Sequence, residues 1–242
     1  MKKTTKYTTI SLTLFIVFMQ HIHAQYAQCV IYKVNQTLHV QVPNSSQKRA
    51  VELAFTGYLF ADSNQSLYYQ EPLFLQEYPK GYIMLTQETG GVFSHTVPSA
   101  PRQLLTYFRL DSAIKRSRTD FMDMGMNLFY RFERGYQQWE MTNETKQIGN
   151  LKSQKSILKN TKGDTIFEVW FCADIPMAFG PWGIIDLPGL VLEATHLPSN
   201  MRFSIDTFNL KCEIPPNTFW PQEFNEPFTD KGIIRKPRTQ AP

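Results

Sequence analysis

Five carboxylates fall between positions 164 and 193: Asp164, Glu168, Asp174, Asp186 and Glu193. Two carboxyl groups on either side of a glycosidic bond are the minimal acid and base of a glycosidase, so a hydrolase using Asp174, Asp186 or Glu193 is one reading. Alternation argues against it. Glu168 and Glu193 sit at polar positions of period-two patterns, which places them on a solvent face. Asp174 and Asp186 flank a loop whose backbone they are suited to hydrogen-bond.

Other chemistry has less to stand on. His39, His95 and His196 are scattered, with neither HExxH nor CxxC spacing, so no metal site and no cofactor is expected. A Cys172–His196 pair would make a nucleophile, but nothing local activates the thiol, and a structural role is the better reading. There is no GxSxG elbow and no glycine-rich phosphate loop. The basic run Lys115-Arg116-Ser117-Arg118 is read as a solvated loop, and no nucleic-acid partner is expected.

The segment most in need of explanation is the run from Ile175 to Leu190, IPMAFGPWGIIDLPGL. It has loop chemistry, with three prolines and three glycines, yet it is almost wholly apolar. Loops usually cross the surface and read polar, so this one is either packed under the fold or laid against something else. Ile175-Pro176 stops the preceding strand, because proline cannot donate to a ladder. Gly180-Pro181 sets an extended kink. Leu187-Pro188-Gly189-Leu190 predicts a type II turn, with Pro188 fixing φ at its second position and Gly189 supplying positive φ at its third. Pro176, Phe179, Gly180, Pro181, Trp182, Asp186, Leu187, Pro188, Gly189 and Leu190 are therefore the candidate structural, ligand-binding or partner-binding residues.

The elements that position this loop are strands. Aromatics are 14% of the chain, and alternation recurs in Met201–Asp206, Ile166–Cys172 and Leu128–Phe132. Weaker strands are expected at Val30–Val34, Leu38–Val42, Val51–Phe60, Tyr82–Thr86 and Leu104–Leu110. Turns at Asn160–Asp164 and Leu197–Asn200 mark the C-terminal half as an antiparallel meander over about 147–158, 165–174, 190–196 and 201–212. Past Thr207 the apolar parity shifts to Phe208 and Leu210, which predicts a bulge. Leu190, Leu192 and Ala194 are expected to face inward, with Glu193 outward. A short helix is expected within Ser63–Gln76. Residues 218–242, with four prolines and a basic end, are expected to form a poorly ordered tail.

Lys2, Lys3 and Lys6 precede a short apolar core, Leu12–Met19, and Ala24 offers a small residue for cleavage before Gln25. This pattern predicts a secretory signal peptide over residues 1–24, too short for a membrane span. The expected organisation is signal 1–24, β-rich domain 25–217 and tail 218–242. Removing three signal lysines from 25 basic residues leaves 22 against 21 acids, so the charge balance gives no argument for nucleic acid. In an oxidising compartment Cys29, Cys172 and Cys212 allow one disulfide with three pairings open, or three buried thiols.

Ile-Pro, Gly-Pro and Leu-Pro-Gly-Leu at these spacings, behind Val169-Trp170-Phe171, resemble the GLPGLI family of exported bacterial proteins. Trp139, Lys146-Gln147-Ile148-Gly149 and Gln154-Lys155 fall where similar landmarks fall in that family, and the resemblance covers residues 127–212. The eponymous segment departs from it, with Asp186 in place of the first glycine and Val191 in place of isoleucine, and Ser153 stands where relatives commonly carry cysteine. Asp tolerates left-handed backbone, so the turn is expected to survive. The resemblance implies a β-rich, periplasmic or secreted protein; with the strand pattern above, the expected fold is mainly β, a single antiparallel sheet with minor helix, and by analogy an open half-barrel like those of periplasmic lipoprotein carriers. The expected function is non-enzymatic: binding an apolar or peptide ligand in a half-open sheet. The alternative is a structural module docking to an outer-membrane partner through the loop. A further reading has the loop as core, closing one end of the sheet.

Overall fold

A computed structural model describes residues 25–87, 90–121 and 124–235 of the 242. Residues 1–24, where a signal peptide is expected, and the last seven residues lie outside them. The chain is mainly β. Fourteen strands run β1 (Gln25–Gln41), β2 (Lys48–Ala61), β3 (Gln65–Pro72), β4 (Tyr82–Thr86), β5 (Val92–Thr96), β6 (Gln103–Arg109), β7 (Ile114–Phe121), β8 (Met124–Phe132), β9 (Trp139–Ile148), β10 (Leu151–Lys159), β11 (Thr165–Cys172), β12 (Leu190–His196), β13 (Met201–Ile214) and β14 (Phe228–Ile234). Twelve of them form one sheet in the order β14-β8-β7-β6-β3-β2-β1-β13-β12-β11-β10-β9, and β4 and β5 pair as a separate hairpin. Every neighbour pair is antiparallel except β14 with β8, which run parallel.

The sheet curls without closing into a barrel. Chain reach requires the curl. Strands β8 and β9 stand ten places apart in the sheet, which laid flat at about 4.8 Å per strand would separate them by roughly 48 Å. Only residues 133–138 connect them, and seven steps of extended chain span at most about 25 Å. The two ends of the sheet must therefore approach each other. The inner face holds the main core, with Tyr32, Val34, Phe55, Leu59, Tyr68, Phe108, Val169, Phe171 and Phe203 all buried.

The expected meander is present as β10–β13, but its first strand, expected at about 147–158, is broken by a turn at Gly149-Asn150, beyond which β9 adds a fifth strand at the sheet edge. The bulge predicted past Thr207 is found where β1 pairs with β13: Ile31 faces Thr207 while Tyr32 faces Ile205. A second bulge, in β12, has a larger effect. Trp170 pairs with Glu193 but Phe171 pairs with Val191, so Leu192 is the extra residue. Val191 thus shares the core face with Phe171, and Glu193 shares the outer face with Trp170. The Tyr32 hydroxyl donates to the Val191 carbonyl at 3.0 Å beside this bulge.

Two expectations are corrected. The helix within Ser63–Gln76 is strand β3 up to Pro72, and only Leu73–Gln76 forms a 3₁₀ turn. Ser66, Leu67, Tyr68 and Gln70 are all buried, because β3 sits between β2 and β6 and is packed on both faces. That placement erases the alternation from which a strand would be read. The poorly ordered tail is likewise packed from Thr218 to Arg235. Phe219 and Phe224 are buried with Ala27, Leu67, Leu105, Tyr107 and Ile214 in a second core on the outer face, and β14 follows them. Arg102 pairs with Glu223 at 2.8 Å, and the Asn127 side-chain amide donates to the Glu223 carbonyl at 2.8 Å. Prolines here shape an irregular crossing rather than prevent one.

Candidate functional site

The apolar loop 173–189 lies inside the curl. Met177, Phe179, Ile184, Ile185 and Leu187 are buried, as are Gly180, Pro181, Gly183, Gly189 and Leu190, while Pro176, Asp186 and Pro188 are exposed. Each large apolar side chain so buried contributes on the order of 2 kcal/mol. Most of the loop is therefore core, a placement compatible with either ligand binding or partner docking.

Its path follows from local chemistry. β11 ends at Cys172, and the Leu190 amide donates to the Ile175 carbonyl at 2.9 Å, closing the loop at its base. Phe179 and Ile185 form an isolated antiparallel bridge, and Gly180 N–H donates to the Ile184 carbonyl at 2.7 Å. Between them, Pro181–Gly183 makes a single 3₁₀ turn with Trp182 in the left-handed region at φ 48°. For a bulky residue that conformation costs about 1–2 kcal/mol. The half-buried indole offsets the cost against Phe167, His196 and Phe203, at ring-centroid distances of 6.0, 4.4 and 6.3 Å. Gly183, also left-handed, lies under the Phe108 ring of β6, where a Cβ would come within 3.2 Å. Residues 182 and 183 therefore touch β11 and β6, six strands apart, and fill the space a half-barrel would offer a ligand.

The seam between the sheet's ends is bonded to this loop. Gln137 accepts from Ile185 N–H at 2.8 Å and donates through its side-chain amide to the Gly183 carbonyl at 3.0 Å. The Trp139 indole N–H donates to the Ile185 carbonyl at 2.7 Å. Burial, with Asp186 close by, pushes the Tyr136 hydroxyl well above its ordinary range. The family landmarks noted Trp139; Gln137 and Tyr136 carried no signal, since a glutamine's bonding to a distant backbone leaves no local pattern.

The type II turn is not formed. Gly189 is absent from the positive-φ glycines, and the left-handed residue is Asp186, at φ 66°. Gly189 is needed for another reason: a Cβ there would stand 2.1 Å from the Cys172 carbonyl oxygen. Close backbone approach, not turn geometry, demands glycine.

The carboxylates are distributed. Asp164 bonds the Asn160 side chain at 3.0 Å in the β10–β11 turn. Glu168 and Glu193 share the outer face, paired with Lys155 at 3.4 Å and with Lys146 respectively, and Lys146 also lies 4.3 Å over Trp170. Asp186 belongs to the inner loop, and Asp174 is exposed at its base. Among the described residues no group of three or more His, Cys, Asp or Glu could hold a metal. Cys172 is a buried free thiol, and His196 is engaged with Trp182 and, through Nδ1, with Ser199 Oγ at 2.7 Å. Cys29 and Cys212 form a disulfide, which selects one of the three pairings.

The basic run 115–118 is not a solvated loop but part of β7. Lys115 lies over Phe108 and Tyr130, and burial pulls its pKa down to about 8. Arg118 pairs with Glu226 at 2.8 Å. The side chains were sorted by strand alternation, which a short basic run conceals.

A groove of about 490 Å³ opens at the rim, where the base of the loop meets the start of β1 and the β2–β3 turn. Tyr26, Ala61, Met177, Leu187, Pro188 and Leu210 line it, and the Gln28 side chain reaches the Pro176 carbonyl at 3.4 Å. Tyr26, Leu210 and nearby Phe208 stand exposed. Their signal in the sequence was the parity shift past Thr207, which turns apolar residues outward.

No family model matches the chain, and no curated protein matches it. Two solved structures of PNGF-II, in C2 and P21 crystal forms, are similar to it at 13% identity, with TM-scores of 0.45 and 0.44. Each match covers 86% of this chain but only 31% and 32% of theirs, so the chain spans about a third of the length of those solved chains.

Proposed function

We propose that this chain is an exported, non-enzymatic protein that binds an apolar or extended peptide ligand at the rim of its sheet. The observation that carries the reading is the rim groove. It is an open groove lined mostly by apolar side chains, and Tyr26 and Leu210 extend it onto open surface. The curl's interior is filled by the chain's own loop, so the ligand site moves from inside the sheet to its edge. Export is supported by the basic and apolar pattern of residues 1–24 and by the Cys29–Cys212 disulfide, which suits an oxidising compartment. The likeness to GLPGLI proteins supports the same compartment.

The test is native mass spectrometry of the protein secreted with its own leader. Adducts of lipid or peptide mass are expected, and Leu210→Arg is expected to remove them while thermal melting stays cooperative. A bare mass under gentle conditions, or adducts indifferent to Leu210→Arg, would remove the proposal's support.

The docking alternative shifts as well. Trp182 is packed on Phe167, His196 and Phe203, so the loop tip offers no free aromatic face. Exposed Tyr26, Phe208 and Leu210 are the surface on which an outer-membrane partner would sit. Photocrosslinking from position 210 rather than 182 distinguishes this reading.

A further inference from the structure

On the outer face, beneath the C-terminal crossing, Arg116 differs from the arginines around it. Arg102, Arg109, Arg118 and Arg131 are each paired with a carboxylate: Glu223, Asp111, Glu226 and Asp230. Arg116 has no carboxylate partner among the described residues. Its guanidinium is clamped by aromatic rings, 4.2 Å from the Trp220 centroid, 4.8 Å from Phe228 and 5.9 Å from Phe129. Its Nε is buried and makes no hydrogen bond. Register accounts for the placement, since Arg116 pairs with Tyr107 of β6 on one side and Phe129 of β8 on the other, so all three side chains share the outer face.

Beside it opens a cavity of about 320 Å³, lined by Arg116, Tyr107, Gln25, Asn217, Phe219 and Trp220 among others. Its other guanidinium, Arg109, is already neutralised by Asp111. Gln65, also in the wall, is occupied by Tyr107 and Asp62. One uncompensated cation therefore faces a small, partly aromatic chamber.

We propose that this chamber binds a carboxylate carried on a flat or apolar body. A guanidinium presents parallel N–H groups that match a carboxylate edge, and such charge-assisted pairs are stronger than neutral hydrogen bonds. The aromatic clamp holds the fork at low conformational cost and leaves Trp220 and Phe219 to contact the ligand's body. A single free cation suits a monoanion better than a dianionic phosphate. The volume is at the small end for ligand sites, so the ligand class is a small aromatic acid or the C-terminal residue of a peptide. The site does not depend on the rim groove, with which it shares no lining residue.

Benzoate and benzamide are a matched pair of probes of equal shape, titrated calorimetrically into the mature protein. Benzoate is expected to bind with Kd on the order of 1 mM or tighter, and benzamide at least about tenfold more weakly. Arg116→Gln is expected to abolish the difference, and Arg116→Lys to weaken benzoate about tenfold, since an ammonium lacks the fork. If Arg116→Gln does not fold, the Arg116 Nε–H resonance of the wild-type protein serves instead, and it is expected to shift with benzoate and not with benzamide. Equal binding of the two probes, binding of neither, or an unmoved Arg116 resonance would overturn the proposal. Hippurate extends the series, and tighter binding than benzoate would select the peptide C-terminus as the ligand source.

Discussion

Trp139, the first residue of the edge strand β9, donates its indole N–H to the carbonyl of Ile185 at 2.7 Å, across 46 positions of sequence. Gln137, two residues earlier, takes the amide of the same Ile185. One residue of the apolar loop is thus held at both backbone polar groups by the seam where the sheet's ends approach. A loop buried in a curled sheet cannot satisfy those groups with water, and the seam supplies the bonds that burial requires.

Trp139→Phe keeps a ring near Phe167, now at 6.4 Å, and removes the donor. The expected loss in urea unfolding is about 1–2 kcal/mol, because the Ile185 carbonyl is left unpaired. Combined with Gln137→Ala the losses should be non-additive, since both anchors hold one residue. Additive losses would show that the two bonds act independently.

Asp186 and Gly189 are expected to respond in opposite senses. Asp186→Gly relieves a left-handed position and should leave stability unchanged or slightly higher, by up to about 1 kcal/mol. Gly189→Ala forces a methyl against the Cys172 carbonyl and should cost about 2 kcal/mol or more. Chemical denaturation of the two variants decides the matter, and a tolerated alanine would disprove the close approach.

The Cys29–Cys212 disulfide ties the first strand of the chain to the end of β13, 183 positions away. Cys29→Ser is expected to lower stability by about 2–5 kcal/mol. Thiol titration of the native wild-type protein should find no reactive cysteine, and one after unfolding without reductant, namely buried Cys172. Two or more thiols in the oxidised protein would contradict the pairing.

His196 should make the fold acid-sensitive. Burial among Phe167 and Trp182 lowers its pKa from the ordinary 6.5, so the unfolded chain takes up the proton more readily than the native one. The contribution to stability is therefore present above about pH 6.5 and is lost as pH falls through that value toward the folded pKa. Denaturation midpoints measured from pH 7.5 to 5 should fall, and His196→Gln should flatten that slope. An identical slope in the variant would assign the acid sensitivity to other groups.

Much of the fold was legible because strand alternation is local. Met201–Asp206 and Ile166–Cys172 show period two, with one face on the core and the other on solvent, and both are strands as expected. β3 was missed for the complementary reason: a strand covered on both faces loses its polar positions. The C-terminal crossing was missed because Phe219, Trp220, Phe224 and Phe228 are spaced by prolines and turns, with no period to read. Arg116 shows the same limit at the level of one side chain, since a basic run looks solvated until β-sheet register sends alternate residues to opposite faces.

The amino-acid sequence alone determined that residues 175–190 form a stiff, apolar strand-to-strand connection, because proline and glycine act on the backbone where they stand. It also placed Glu193 outward and the bulge near Thr207, since both follow from parity along a single strand. Only the tertiary structure decided that most of the loop is buried as core, with its base left at the rim groove, and that Gly189 is required by the Cys172 carbonyl rather than by a turn. Burial and close approach depend on what comes to lie opposite, and here that was set by a sheet whose ends are brought together by a six-residue connection.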